Sequence, residues 1–246
     1  MDLGSVAGIV VALSSILLGH SLGGGNLSML LQPAGFLIVA GGTIGAVLLQ
    51  TDIHIFLRGV TMLRWVFTPP DRDLIPIIED IMVWVSTSRK DGILKLESIV
   101  LETDDSFIQR GLRLIIDGTP PDKLKEILEV ELSKFEARER QAIKIWEAAA
   151  GYSPTLGILG AVLGLTHVME SLSVPNEIGS GIATAFIATI YGVGMANLIF
   201  LPISNKLKAI NTLEISRREM LVDAFFAIAA GESRSVIEDR LTAYIG

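Results

Sequence analysis

Residues 145–205, IWEAAAGYSPTLGILGAVLGLTHVMESLSVPNEIGSGIATAFIATIYGVGMANLIFLPISN, contain neither lysine nor arginine, and the same is true of residues 1–57. All 20 lysines and arginines fall in two blocks, Arg58 to Lys144 and Lys206 to Arg240. Cationic side chains avoid a bilayer core and accumulate on its cytoplasmic side, so the stretches without lysine or arginine read as holding the membrane spans and both basic blocks as cytoplasmic. Composition agrees: 50% of residues are hydrophobic and the mean hydropathy is +0.54. The absence of cysteine excludes disulfides and thiolate metal sites. A net charge of −7 argues against a nucleic-acid partner. Met1 and Asp2 supply no basic leader, so the first apolar run is expected to stay as an uncleaved span.

A hydrocarbon core about 30 Å thick takes about 20 helical residues at 1.5 Å each. Four stretches approach or exceed that length: Leu3–Leu22, Pro33–Leu49, Ala148–Ser171 and Ile178–Ile203. Gly23, Gly24, Gly25 and Asn26 turn the first pair, and Val174, Pro175, Asn176 and Glu177 turn the second, giving two hairpins. The expected fold is all-α, a polytopic membrane protein with four transmembrane helices and a helical cytoplasmic domain. Its divisions are 1–50 (first hairpin), 51–147 (cytoplasmic insert), 148–203 (second hairpin) and 204–246 (cytoplasmic tail), with both termini cytoplasmic. Pro69-Pro70 and Gly118-Thr119-Pro120-Pro121 punctuate the insert. From Asp122 to Trp146, Leu124, Ile127, Leu128, Leu132, Phe135 and Ile143 recur at helical spacing, an amphipathic helix able to continue into the third span. The tail from Lys206 to Arg240 has the same character, and the two are expected to pack together.

Small residues dominate the second hairpin: Gly157, Gly160 and Gly164 on one helix, Gly181, Ala185, Ala188, Gly192 and Ala196 on the other. They permit close backbone approach, either inside a self-contained bundle or between copies. Neither helix holds an acid at mid-membrane depth; only His167 and Glu170 are ionisable, and both lie near the outer end. Buried ionisable groups are costly and retained for function, so this chain either moves no ions or relies on another subunit for the acid. Thr189 lies about 18 Å from the cytoplasmic boundary near Leu201. Its hydroxyl either lines a polar path or bonds back to its own helix, and Thr155, Thr184, Tyr191 and Asn197 pose the same alternative. His167 is read as an interfacial residue satisfied by headgroups. Pro154 and Pro202, near the cytoplasmic helix ends, either form a hinge or are simply tolerated. In the insert, Arg89 and Glu97 would lie about 12 Å apart on a continuous helix, neither with a charged residue at pairing distance along the chain. They either dock a charged partner or belong to a solvated face.

Taken in order, several stretches resemble the MotA/PomA family of bacterial flagellar stator subunits over essentially the whole chain. They are Met1-Asp2-Leu3, Gly41-Gly42-Thr43, the run from Arg89 to Leu96-Glu97, Pro154-Thr155-Leu156-Gly157 continuing to Gly164-Leu165, Thr189 to Tyr191-Gly192, Ala196-Asn197 and Leu201-Pro202. The resemblance implies five copies around the helices of two MotB-like subunits in the bacterial inner membrane, where the partner's aspartate binds the ion. It implies that Arg89, Lys90 and Glu97 act on the rotor protein FliG. It assigns ion coupling to Pro154 and Pro202, and the wall of the ion path to Thr189, Thr155 and Ala161. Sodium-type members resemble one another in carrying threonine at the position of Ala161; a methyl in place of a hydroxyl removes one oxygen ligand, which favours H+ over Na+. No cofactor or metal is expected. An ExbB/TolQ-type proton-driven energiser is the rival, but that family resembles a single span before a large cytoplasmic region. No H-E-x-x-H or G-x-S-x-G is present, which argues against an enzyme.

Overall fold

A computed structural model describes residues 2–70, 73–170 and 175–244. Among the described residues every regular element is helical. The first span is α1 (Leu3–Leu22). The second opens with a 3-10 turn at Leu27–Leu30, then runs through α2 (Pro33–Phe36), a π turn at Leu37–Gly41 and α3 (Gly42–Gln50). There follow α4 (Ile53–Thr61), α5 (Leu63–Phe67), α6 (Ile75–Lys90), α7 (Leu96–Glu102) and α8 (Ser106–Ile116). The third span is the outer part of α9 (Pro121–Glu170), a single helix of 50 residues with Pro154 inside it. The fourth is α10 (Pro175–Met195), which passes through a π turn at Ala196–Phe200 into α11 (Leu201–Ala229); α12 (Arg234–Thr242) ends the chain. Ser171 and Val174, expected at the end of the third span and in the turn, lie outside the described residues.

Four helical segments are long and apolar enough to cross a membrane, at the positions the charge pattern indicates: Leu3–Leu22, Leu27–Gln50, Pro121–Glu170 and Ile178–Ala229. Two of them do not stop where the charges begin. The backbone is helical through the expected borders at 147/148 and 203/204, because the polarity changes there without a helix-breaking residue. The punctuation read from proline and glycine is found in place: α5 ends before Pro69-Pro70, and Gly118, at φ 68°, separates α8 from α9.

The chain falls into two compact units, Met1–Pro69 with Glu139–Ala209, and Pro70–Arg138 with Ile210–Gly246. In the first unit α9 and α10 meet along their small residues. A Cβ added at Gly192 would lie 2.6 Å from the Ser153 carbonyl oxygen, and one at Gly157 would lie 3.0 Å from the Ala188 carbonyl and 3.1 Å from the Gly192 Cα. One at Gly164 would lie 3.0 Å from the Ala185 nitrogen. The Gly160/Gly164 pair thus serves contact within the chain. The second span lies over this pair, with Gly35 against Ala188 and Gly42 against Leu156. None of the α1 side chains is buried by the rest of the chain, as suits a helix apolar on all sides. It is fixed at its start, where the Asp2 carboxylate caps the Gly4 and Ser5 amides and accepts from the Lys206 ammonium.

α4 and α5, expected with the cytoplasmic insert, group with the first unit. The tie is an ion pair: Arg58 of α4 donates to both oxygens of Glu139 at 2.8–3.1 Å, and Glu139 is completely buried. The guanidinium also lies 5.0 Å from the Trp65 ring centroid, and the Trp146 indole donates to the Gly59 carbonyl at 3.1 Å.

The second unit has its own apolar core, drawn from α6, α7, α8, the start of α9, the end of α11 and α12. Leu124 and Leu128 sit there with Met220, Leu221 and Phe225, so the amphipathic segment and the tail do pack together. Phe225 stacks on Trp84 at 5.9 Å and fills the space a Gly111 side chain would need. Asp105 caps α8 through the Phe107 and Ile108 amides and pairs with Arg217 at 2.8 Å. α6 stops at Lys90, and Gly92, at φ 90°, turns the chain into a 3-10 turn at Ile93–Lys95 before α7. The axial distance expected between Arg89 and Glu97 on one helix therefore does not apply.

Two predictions test these contacts. Gly192→Ala should cost about 1–3 kcal/mol by overpacking the α9–α10 seam, whereas Gly194→Ala, with nothing within 4 Å, should be neutral; thermal unfolding of the purified protein compares them. Burial pushes the Asp105 carboxyl up, but Arg217 and the capped amides pull it further down, leaving it below the ordinary 3.8. A lowered carboxyl stabilises the fold above its ordinary pKa, and that contribution is lost as pH falls through the lowered value. Asp105→Ala should thus cost about 0.5–2 kcal/mol at neutral pH, and the gap should narrow below pH 3.8.

Candidate ion path and charged face

In the first unit, the buried side of α9 is formed by Ser153, Gly157, Gly160, Gly164 and Val168; of the path residues read from the sequence, Thr155 and Ala161 lie off that side, while the Thr189 backbone on α10 borders it, its Cα 3.3 Å from where a Gly157 Cβ would stand. Thr155 is exposed; Ala161, Pro154 and Thr189 are half-buried. The Thr189 hydroxyl donates to the Ala185 carbonyl of its own helix at 3.3 Å and that of Thr155 to Tyr152 at 2.8 Å, while the Thr184 hydroxyl is shared between the Ser180 carbonyl at 2.9 Å and Gln32 Oε1 of the second span at 3.3 Å. The Asn197 amide donates to Val193 at 2.9 Å. Each back-bonded hydroxyl spends its single proton on the helix but keeps a lone pair, so it can still accept from water or a hydrated ion.

Tyr191 has a different task. Its phenol donates to the Leu30 carbonyl and accepts from the Gln32 amide at 3.1 Å, while its ring packs edge-on against Phe36 at 5.8 Å. It fastens the second span to the fourth. His167 and Glu170 are exposed at the end of α9, where the sequence places them. Among the described residues no group of three or more His, Asp or Glu side chains could hold a metal ion.

Pro154 cannot donate to the Ala150 carbonyl, which leaves a weak point in α9. Sequence reasoning missed the residue beside it: the Ser153 hydroxyl is fully buried and donates across the seam to the Gly192 carbonyl at 3.0 Å. A serine preceding a proline on the small-residue side of the helix was the available signal. Thr43 was also unremarked except within its motif, yet it is buried in the second span and its hydroxyl has no partner among the described residues. Pro202 follows the π turn at Ala196–Phe200, and its missing amide removes the bond to the Leu198 carbonyl. The two prolines thus mark backbone irregularities in both helices of the pair.

In the second unit the three charges take different positions. The Arg89 guanidinium donates to the Gly231 carbonyl at 3.1 Å, where Gly231, at φ 70°, ends α11; Arg234 of α12 reaches back to the Ser86 hydroxyl at 3.4 Å. Arg89 is therefore engaged in holding the chain end against α6. Lys90 is exposed and lines a groove of about 540 Å³ with Glu79, Asp91, Arg234 and Glu238. Glu97 is exposed on α7, and neither it nor Lys90 has an ion-pair partner among the described residues.

Residues 100–220 match the MotA/TolQ/ExbB proton channel family, and residues 6–82 match the motility protein A N-terminal family. The second match covers the first hairpin, which the ExbB/TolQ-type alternative would lack. Motility protein A of Helicobacter pylori (strain ATCC 700392 / 26695) is 34% identical over 100% of this chain and 95% of its own length. That of Bacillus subtilis (strain 168) is 31% identical over 100% and 91%. The structure of C. jejuni MotAB superposes with a TM-score of 0.93 at 28% identity, covering 100% of this chain and 96% of that one. The flagellar MotAB stator complex from Bacillus subtilis gives 0.86 at 30%, covering 98% and 95%. With both hairpins and the intervening helices matched end to end, the chain belongs to the motility protein A family, the stator subunits of the bacterial flagellar motor.

Proposed function

We propose that this stator subunit forms a proton channel with a MotB-like partner, five copies of this chain surrounding two of the partner in the bacterial inner membrane with both termini cytoplasmic. The observation that carries this reading is a membrane helix pair with back-bonded hydroxyls and, among its described residues, no carboxylate at mid-membrane depth, Glu170 lying exposed at the end of α9. A channel that moves protons needs a titratable group on the path, and the partner's acid supplies it. The MotAB composition of the two structural neighbours supports the choice of partner. In this arrangement Thr155, Ala161 and Thr189 line the path, and proton transfer at the partner's acid biases the helix pair at its irregular points, Pro154 and Pro202. Lys90 and Glu97 face the rotor protein FliG, and Arg89 holds the end of α6 that carries Lys90.

Proton rather than sodium coupling follows from Ala161, whose methyl offers no oxygen ligand, whereas a proton needs only a carboxylate and water. A stator-deleted host expressing this chain with its partner should rotate tethered cells in sodium-free medium and stop on addition of a protonophore. Rotation that requires external sodium at constant proton-motive force overturns the ion assignment. A stably assembled complex that turns no motor overturns the channel-to-rotor coupling.

A further inference from the structure

The short helix α7 buries one side and leaves the other uncovered. Leu96 and Val100 are 0% and 4% exposed in the core of the second unit. On the far side Leu101 is 80% exposed, and Leu94, in the 3-10 turn that runs directly into α7, is 73% exposed. These are the two most exposed large apolar side chains of that unit among its described residues. At about 100° per residue Glu97 and Leu101 are about 40° apart around the helix, and Leu94 falls within the same arc of about 60°. The order along this stripe is leucine, carboxylate, leucine over about 11 Å. Lys95 and Glu102 project to the neighbouring side, so the stripe carries a single charge, and that charge is without an ion pair among the described residues.

Single exposed leucines are ordinary on a protein surface. Two that bracket an unpaired carboxylate on one stripe form a recognition pattern. An ion pair made by Glu97 alone in water would be weak and screened by salt. Apolar side chains closing over it from both sides would exclude water and strengthen the pair, as the rim of an interface does for its centre. We propose that Leu94 and Leu101 are positioning residues of a docking stripe on α7, whose occupant is a helix of the rotor protein carrying a cationic side chain between two apolar ones. Apolar residues three or four places either side of an Arg or Lys would meet the leucines while the cation meets Glu97. An anionic lipid surface does not fit, because the only charge on the stripe is negative. This inference rests on the rotor-facing reading of Glu97 given above.

The test uses the complete complex with its MotB-like partner in a stator-deleted host, comparing Leu94→Ser/Leu101→Ser, Leu94→Met/Leu101→Met and Glu97→Gln. Three quantities are read: complex size, proton leak, and torque and dwell time of single stators at the motor. The serine pair is expected to assemble and leak protons, yet to shorten dwell roughly tenfold, the loss expected for an apolar anchor. The methionine pair, apolar and of similar volume, should restore it. If the serine pair drives motors like the parent while Glu97→Gln does not, the leucines make no rotor contact and the proposal falls. If the serine pair disperses the complex, the stripe is an interface between copies and the proposal again falls. If Glu97→Gln and Leu94→Ser/Leu101→Ser both leave torque and dwell unchanged, the rotor-facing reading itself fails.

Discussion

The closeness of two backbones organises the membrane unit. α9 and α10 meet where Gly157, Gly164 and Gly192 bring backbone against backbone, close enough that a single methyl at Gly192 would strike the Ser153 carbonyl. In a bilayer, lipid competes with protein for apolar surface on equal terms, so helix association depends on close packing and on hydrogen bonds that lipid cannot replace. The seam offers both, since the Ser153 hydroxyl crosses it to the Gly192 carbonyl. Once these faces are joined, the remaining faces are fixed by helix geometry. Thr155 and Ala161 fall off the seam, Thr189 falls at its edge beside Gly157, and Tyr191 falls toward the second span, where it meets Leu30, Gln32 and Phe36.

The polar groups of this pair are suited to a positive charge that belongs elsewhere. A carboxylate inside the helix pair would be expensive in the absence of its partner and would have to be neutralised or paired. Back-bonded threonines carry no such penalty, because their protons are already satisfied while their lone pairs stay available. The described part of the helix pair therefore carries hydroxyls but no charge at mid-membrane depth. Among the described residues of the first unit the one fully buried ionic group is Glu139, and Arg58 meets both of its oxygens. Removing Arg58 would strip a fully buried carboxylate of this pairing, the costly case for such pairs.

The spans were legible because lysine and arginine are segregated with no exception, and the amphipathic start of α9 was legible from its period. The breaks at Pro69-Pro70 and Gly118 follow from backbone chemistry that depends on the residue alone. The extent of the long helices was not legible. Nothing between Lys144 and Ala150, or between Ser204 and Ile210, breaks a helix; the continuation of the amphipathic segment into the third span was open to reading, but the polarity change alone gave no sign that the tail runs on from the fourth span in the same way. Grouping α4 with the spans was equally hidden, because it depends on Arg58 meeting a carboxylate 81 residues away. At the site, a hydroxyl in an apolar helix reads the same whether it back-bonds or spans to a neighbour. Thr189 and Tyr191 illustrate the two outcomes, and only tertiary contact separates them.

Continuity has a mechanical consequence in each of the long helices. An unbroken α-helix transmits displacement along its axis, and bends where its ladder of hydrogen bonds is incomplete. In α9 the proline at 154 interrupts the ladder, directly after the serine that is bonded to α10. In the fourth span the π turn at Ala196–Phe200 and Pro202 interrupt it together. Compliance is thus confined to these two places, one beside the tightest part of the seam and one just beyond it. A load on either helix would be taken up first at Pro154 and at Pro202 with its π turn, while the regular turns on either side keep their hydrogen bonds.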